Sequence, residues 1–328
     1  MATKKNSTYY LSDEVSSSIK KAALAHDMSA SELAGMLLEK GLGAELDKSN
    51  RPCIIPLLAN KGGAAKTTTS VNLAAYMAQL GKKVLLIDLD GQANASRYLG
   101  FIDVSETKPC IADVLVSDDK GERMSLDAVM CDTEFENIKL IPSSFRFNDG
   151  GKLMDAETGT PRLDSRLQDA IEDMDEEFDY IFIDCPPSLG TLATNAIGAL
   201  DAGNPRSFIM IPVPGADWAV MGLKNTIRAI DNVCRARRTR IHPWYCVKTI
   251  CEVGTVAFQS AFELVKEEVG EVPYMETIIP RGTMAVESGL ARQPLAQYDK
   301  NCKSKVAKAY KALTQEVFEM TGGDKDDE

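Results

Sequence analysis

The eight residues Lys61-Gly62-Gly63-Ala64-Ala65-Lys66-Thr67-Thr68 constrain this chain more than any others, because they join an apolar run to a helical pattern through a glycine pair. Cys53 to Ala59 reads as a buried strand. After the loop, Val71, Leu73, Ala74, Met77, Ala78 and Leu80 recur at helical spacing until Gly81 stops the helix. A strand that turns through glycines into a helix aims several backbone N–H groups and the positive end of a dipole at one point, which suits a polyphosphate. Lys66 is placed to reach the β- and γ-phosphates, and the Thr67 hydroxyl to ligate Mg²⁺. Lys61 is one cation more than such a cradle needs.

The general phosphate-loop pattern calls for glycine at two positions where this chain has Asn60 and Ala65. The loop instead resembles the deviant Walker A motif, Lys-Gly-Gly-x-x-Lys-Ser/Thr, of the ParA/MinD family of P-loop ATPases. In that family the first lysine reaches across a nucleotide-bridged dimer to the partner's ATP. The resemblance implies ATP and Mg²⁺ as cofactors, a homodimer, nucleotide contacts along residues 61–68 and the cross-subunit role for Lys61.

Three further segments extend the likeness. Val84-Leu85-Leu86-Ile87-Asp88-Leu89-Asp90 is an apolar run ending in two carboxylates, and carboxylates at the C-terminal end of a parallel strand face the ligand crevice. By the resemblance, Asp90 orients or activates the attacking water and Asp88 supports the Mg²⁺ shell. Tyr180-Ile181-Phe182-Ile183, followed by Asp184-Cys185-Pro186-Pro187, is similar to the family's Walker B strand and switch segment, which implies that Asp184 holds Mg²⁺ through water. Ile278-Ile279-Pro280-Arg281 resembles the stretch that packs against adenine. The expected fold is therefore a doubly wound α/β unit with a mostly parallel sheet over residues 51–320, and the expected catalytic set is Lys61, Lys66 and Asp90.

Composition narrows the setting. No apolar stretch approaches the length of a membrane span, and the N-terminus lacks the apolar core of a secretory signal, so the expectation is a cytoplasmic protein. Eight scattered cysteines without a Cys-x-x-Cys pair suit reduced thiols and count against the iron–sulfur carriers that share this loop. A net charge of −11 argues that any DNA contact is local. Residues 321–328 read as a disordered acidic tail, which anionic lipid would repel, so no membrane partner is expected.

The first fifty residues form a separate pattern. Ser7 to Ser12 reads as a short strand, Asp13 caps a helix through about Asp27, and Ser29-x-x-Glu32 is a capping box for a second helix ending near Gly41. Strand, helix, helix looks like a ribbon-helix-helix fold, which pairs with a second copy to lay a two-stranded ribbon in a major groove. Thr8 and Tyr10 would then face bases, while Tyr9 and Leu11 face inward. The segment carries six Lys against seven Asp and Glu, less basic than a DNA-reading module usually is, so a dimerisation arm or cargo contact remains the alternative.

Basic charge gathers at Arg235, Arg237, Arg238 and Arg240, after a helical stretch from Gly222 to Cys234. Partition ATPases of the resembled family bind nonspecific DNA through surface cations, so this cluster is a candidate contact; stabilisation of a helix C-terminus is the alternative. Many partition members have arginine where this chain has Met284. Ala65 replaces a glycine, at a cost if its backbone is left-handed and at none if it is right-handed. Pro56 lacks a ladder donor and predicts a bulge or interrupted pairing in the first strand. The functional expectation is a ParA-like ATPase that segregates or positions plasmid or chromosome, associated with the nucleoid and reset by hydrolysis that a ParB-like or adaptor partner stimulates. The rivals are an ATP-modulated repressor acting on an operator through the N-terminal module, and a metal-cluster or electron-transfer ATPase.

Overall fold

Uninterrupted apolar runs become the central strands of a computed structural model that describes residues 51–101, 109–118, 120–147, 163–216, 219–239 and 242–323, with positions 19, 30, 33 and 34 besides. The chain divides into two compact units, Met1–Asn50 and Arg51–Glu328. Positions 19, 30, 33 and 34 are helical, and the rest of the strand-helix-helix expectation, with Thr8 and Tyr10, lies outside the described residues.

In the second unit, strand β1 (Cys53–Leu57) leads through the glycine loop into helix α1 (Lys66–Gln79). Strand β2 (Val84–Asp88) is followed by a short helix α2 (Asn94–Tyr98) and the strands β3 (Cys131–Asp132) and β4 (Ile138–Ile141). Helix α3 (Arg166–Glu172), strand β5 (Tyr180–Asp184), helix α4 (Thr191–Gly198), strand β6 (Ile209–Pro214) and helix α5 (Ala219–Arg237) come next. The unit closes with β7 (Trp244–Cys251), α6 (Val256–Val269), β8 (Tyr274–Pro280), α7 (Thr283–Leu290) and α8 (Lys305–Met320).

The sheet runs β3-β4-β2-β5-β1-β6-β7-β8, and every pairing in it is parallel except β3 with β4. Successive side chains of a strand point to opposite faces, and the two faces carry two cores. Ile54, Leu85, Ile87, Ile181, Ile183 and Ile209 join the core covered by α3, α4 and α5. Ile55, Leu57, Leu86, Phe182 and Met210 join the one covered by α1 and α8. Val306, Tyr310, Leu313 and Val317, at helical spacing along α8, are all buried. Strands covered on both faces need apolar residues at every position, which is why these runs do not alternate.

Pro56 does not cause a bulge. The β1–β5 register is continuous from Cys53↔Tyr180 to Leu57↔Asp184. The Cys53 N–H points to β5, where it meets the Asp179 carbonyl, whereas the N–H groups of Ile54 and Leu58 turn to the β6 side. By that alternation the donor missing at Pro56 also belongs to the β6 side, where the register reduces to the single pair Leu57↔Met210. The pairing is interrupted on one flank only. A buried hydroxyl compensates there: Ser207 Oγ accepts the Ile54 N–H at 3.0 Å.

The acidic tail begins later than expected. Thr321 is buried, and its hydroxyl lies 2.6 Å from that of Tyr180 on β5. Residues 321–323 therefore belong to the folded body, while 324–328 lie outside the described residues. Among the described residues, no helix is long and apolar enough to cross a membrane.

Candidate nucleotide site

The C-terminal ends of β1, β2 and β5 converge on the glycine loop. Helix α1 begins there without a side-chain cap and without an acidic residue in its first turn. Its leading N–H groups are thus left for an anion to satisfy. Gly63 is left-handed, with φ of 77°, and a Cβ at Gly62 or Gly63 would meet nothing within 4 Å. The loop is an open cradle.

Ala65 adopts φ 67° and ψ 24°, so the left-handed alternative holds. An L-residue there costs about 1–2 kcal/mol. Lys66 is 7% exposed, and its ammonium donates to the Lys61 carbonyl at 3.4 Å, folding the side chain back over the loop. Lys61 itself is exposed, as are Gly62 and Gly63, while Ala64 is buried and Thr67 and Thr68 are half-buried.

Asp88 and Asp184 are register partners on β2 and β5 and are both fully buried. Thr67 donates its hydroxyl proton to Asp184 Oδ2 at 2.7 Å. The other oxygen, Asp184 Oδ1, is buried without a hydrogen-bond partner. Burial, and then the charge of Asp88, raise the Asp184 carboxyl well above the ordinary range, while Thr67 and Lys66 oppose the shift. Burial likewise raises Asp88. An orphaned carboxylate oxygen beside a hydroxyl whose proton is already committed fits a hydrated divalent cation, which would supply the missing positive charge.

Asp88 has a different surrounding. Its Oδ2 accepts the Ser96 N–H at 2.8 Å and the Ser96 hydroxyl at 2.6 Å, and its Oδ1 accepts the Asp90 N–H at 3.1 Å. These bonds tie the β2–α2 loop together and set Asp90 in place. Asp90 is half-buried and accepts the Gln92 N–H through Oδ1 at 3.0 Å. Ser96, which has no role in the site expected from sequence, thus organises the loop that presents Asp90.

Pro280 ends β8 half-buried. Arg281 is exposed, donates its backbone N–H to the Cys251 carbonyl at 2.9 Å and pairs with Glu252 at 3.2 Å. Met284 packs against the core rather than facing outward as a contact.

The arginine cluster separates. Arg235 and Arg238 are exposed, and Arg240 lies outside the described residues. Arg237 is a correction: its side chain is 10% exposed and turns inward. It donates to the Asp164 carbonyl at 2.9 Å and to Gln168, and pairs with Asp201 at 3.3 Å. A guanidinium occupied on both prongs joins α5 to α3 and has nothing to offer a phosphate. Arg237→Ala is expected to cost about 2–3 kcal/mol in denaturant unfolding, because it takes the guanidinium from half-buried Asp201, which keeps His242 at 3.2 Å. Arg235→Ala, measured in the same way, is expected to leave stability within about 0.5 kcal/mol.

None of the eight cysteines is joined in a disulfide. Among the described residues, no three His, Cys, Asp or Glu side chains group as metal ligands.

Comparison with known proteins bears on the family and the fold. The AAA domain family model matches residues 53–242, more than half of the chain. Sporulation initiation inhibitor protein Soj of Bacillus subtilis is 33% identical over 264 residues, spanning 80% of this chain and 97% of Soj. Chromosome partitioning protein ParA of Caulobacter vibrioides is 32% identical over 274 residues, spanning 82% and 96%. The septum site-determining protein MinD of Pyrococcus horikoshii, solved with Mg-ADP, shares the fold at a TM-score of 0.60 and 24% identity, covering 82% of this chain and 98% of its own.

Proposed function

We infer a working cycle from one premise: the chain belongs to the ParA/MinD family of P-loop ATPases and is a ParA-like partition ATPase, with ATP and Mg²⁺ as its cofactors. The cycle is an ATP-gated dimer that holds DNA and lets go after hydrolysis. The observation that carries it is the conjunction of the uncapped α1 N-terminus, buried Lys66 and the Thr67–Asp184 pair with its orphaned oxygen.

Phosphoryl transfer asks for positioning and charge neutralisation. The loop N–H groups and Lys66 hold the β- and γ-phosphates. Thr67 and Asp184 hold the cation, which when bound neutralises charge on the phosphates. Asp90, fixed by the Asp88–Ser96 loop, orients the attacking water and takes up its proton. Pro280 packs beside adenine. Exposed Lys61 crosses to the nucleotide of the other protomer, so that hydrolysis and dimerisation are linked.

Nonspecific DNA is the proposed track, contacted by Arg235, Arg238 and Arg240. A ParB-like or adaptor protein stimulates hydrolysis, and the nucleoid is the place of action. The N-terminal unit adds an arm that pairs with a second copy or reads an operator.

DNA retention tests the reading. With Mg-ATP the full chain is expected to retain fragments of unrelated sequence, and to lose them with ADP or on raising salt from 50 to 200 mM. Retention confined to fragments upstream of its own gene, and abolished by deleting residues 1–50, would replace the partition cycle with the repressor.

A further inference from the structure

Thr249 is the residue outside the recognised motifs whose placement asks for a function. It lies on β7, is fully buried, and donates its hydroxyl to the Ala64 carbonyl at 3.1 Å. That carbonyl belongs to the peptide plane immediately before Ala65. The plane immediately after Ala65 is held as well, because the Ala65 carbonyl accepts the Thr69 N–H at 2.9 Å. The two planes flanking one residue determine its φ and ψ. Ala65 is left-handed, a conformation that an alanine keeps only when its surroundings impose it.

The clamp is rigid at its other end. The Thr249 carbonyl accepts the Gly215 N–H at 3.2 Å, which ties it to the end of β6. The next residue, Ile250, also has positive φ, 52°, unusual for a β-branched side chain. The β7–β8 register shifts before this point, between Cys246 and Lys248, and again across it, between Lys248 and Cys251. The strand is thus distorted where it delivers the hydroxyl to the loop.

The geometry points to Thr249 as a positioning residue for nucleotide binding: its hydroxyl holds the 64–65 peptide so that Ala65, in place of glycine, keeps the cradle shaped for phosphate. This rests on the reading of residues 61–68 as the phosphate loop. Thr249 touches no phosphate and acts through the backbone of Ala64. Removing the hydroxyl leaves a buried carbonyl without its donor and frees the peptide plane to rotate. Alanine then drifts from the left-handed region, whereas glycine would remain there without support.

A double-mutant cycle between Thr249→Val and Ala65→Gly, read by titration of a fluorescent ADP analogue into the full chain, separates this role from simple packing. Thr249→Val is expected to weaken binding roughly tenfold, with KM for ATP rising by a similar factor and kcat within about twofold. Thr249→Ser, which keeps the hydroxyl, is expected to bind within about twofold of the wild type. Ala65→Gly in the Thr249→Val background is expected to restore most of the lost affinity, a gain much larger than it gives to the wild type. Should Thr249→Val fail to fold, Thr249→Ala makes no demand for space and takes its place. Binding unchanged in Thr249→Val, loss in Thr249→Ser equal to that in Thr249→Val, or strictly additive effects would each overturn the assignment. Failure of the wild type to bind the analogue would instead overturn the phosphate-loop reading itself.

Discussion

Lys66→Ala is expected to lower ATP turnover by about a hundred- to a thousandfold, the scale lost when one preorganised charge is removed from a phosphoryl-transfer site. The side chain is nearly buried, folded over the loop to the Lys61 carbonyl, and its charge opposes the rise in the Asp184 carboxyl. Alanine removes the cation from a place where two carboxylates already crowd, so both phosphate binding and the occupancy of the cation site suffer. Lys66→Arg should not rescue it, because a planar fork does not replace a compact ammonium folded back on the Lys61 carbonyl. Phosphate release and nucleotide titration together check this. Turnover within about threefold of the wild type would remove Lys66 from the catalytic set.

Asp90→Ala is expected to keep ATP binding within a few-fold while hydrolysis falls by about a hundredfold or more, the range for loss of a positioned base. The contrast with Asp88 motivates this split. Three bonds from the Ser96 and Asp90 groups fix the Asp88 carboxylate in the loop and leave a single acceptor position on Oδ1, so Asp88 chiefly builds the loop. Asp90 stands at its rim, with Oδ1 engaged by Gln92 and no described donor on Oδ2. A variant that binds normally but does not turn over should accumulate in the ATP state. Equal losses of binding and turnover would point to a structural role instead.

The sheet was legible because its central strands are covered on both faces and therefore read as unbroken apolar runs. The site was legible because its chemistry sits next to those runs in the chain: Lys66 and Thr67 follow β1, Asp88 and Asp90 follow β2, and Asp184 ends β5. What stayed hidden depends on neighbours distant in sequence. Arg237 resembles its exposed neighbours until Asp164 and Asp201 come beside it. Pro56 carries no mark of which flank its missing donor faces. Thr249 sits in an apolar strand, and only the β7–loop contact distinguishes it from a buried filler. The left-handed backbone of Ala65 is likewise a property of the contacts around it, since alanine by itself prefers the right-handed region.

The central claim is that Lys61 acts in the site of the opposite protomer. Mixing two variants tests it without regard to any dimerisation through the N-terminal unit. Lys61→Ala and Asp90→Ala are each expected to be nearly inactive alone. After subunit exchange in a 1:1 mixture, a mixed dimer contains one site with its own Asp90 and the Lys61 of the other protomer. Random assortment makes half the dimers mixed, each with one complete site, so the mixture is expected to regain roughly a quarter of the wild-type rate. A mixture no faster than the sum of its parts would contradict the cross-subunit lysine and the ATP-gated dimer built on it.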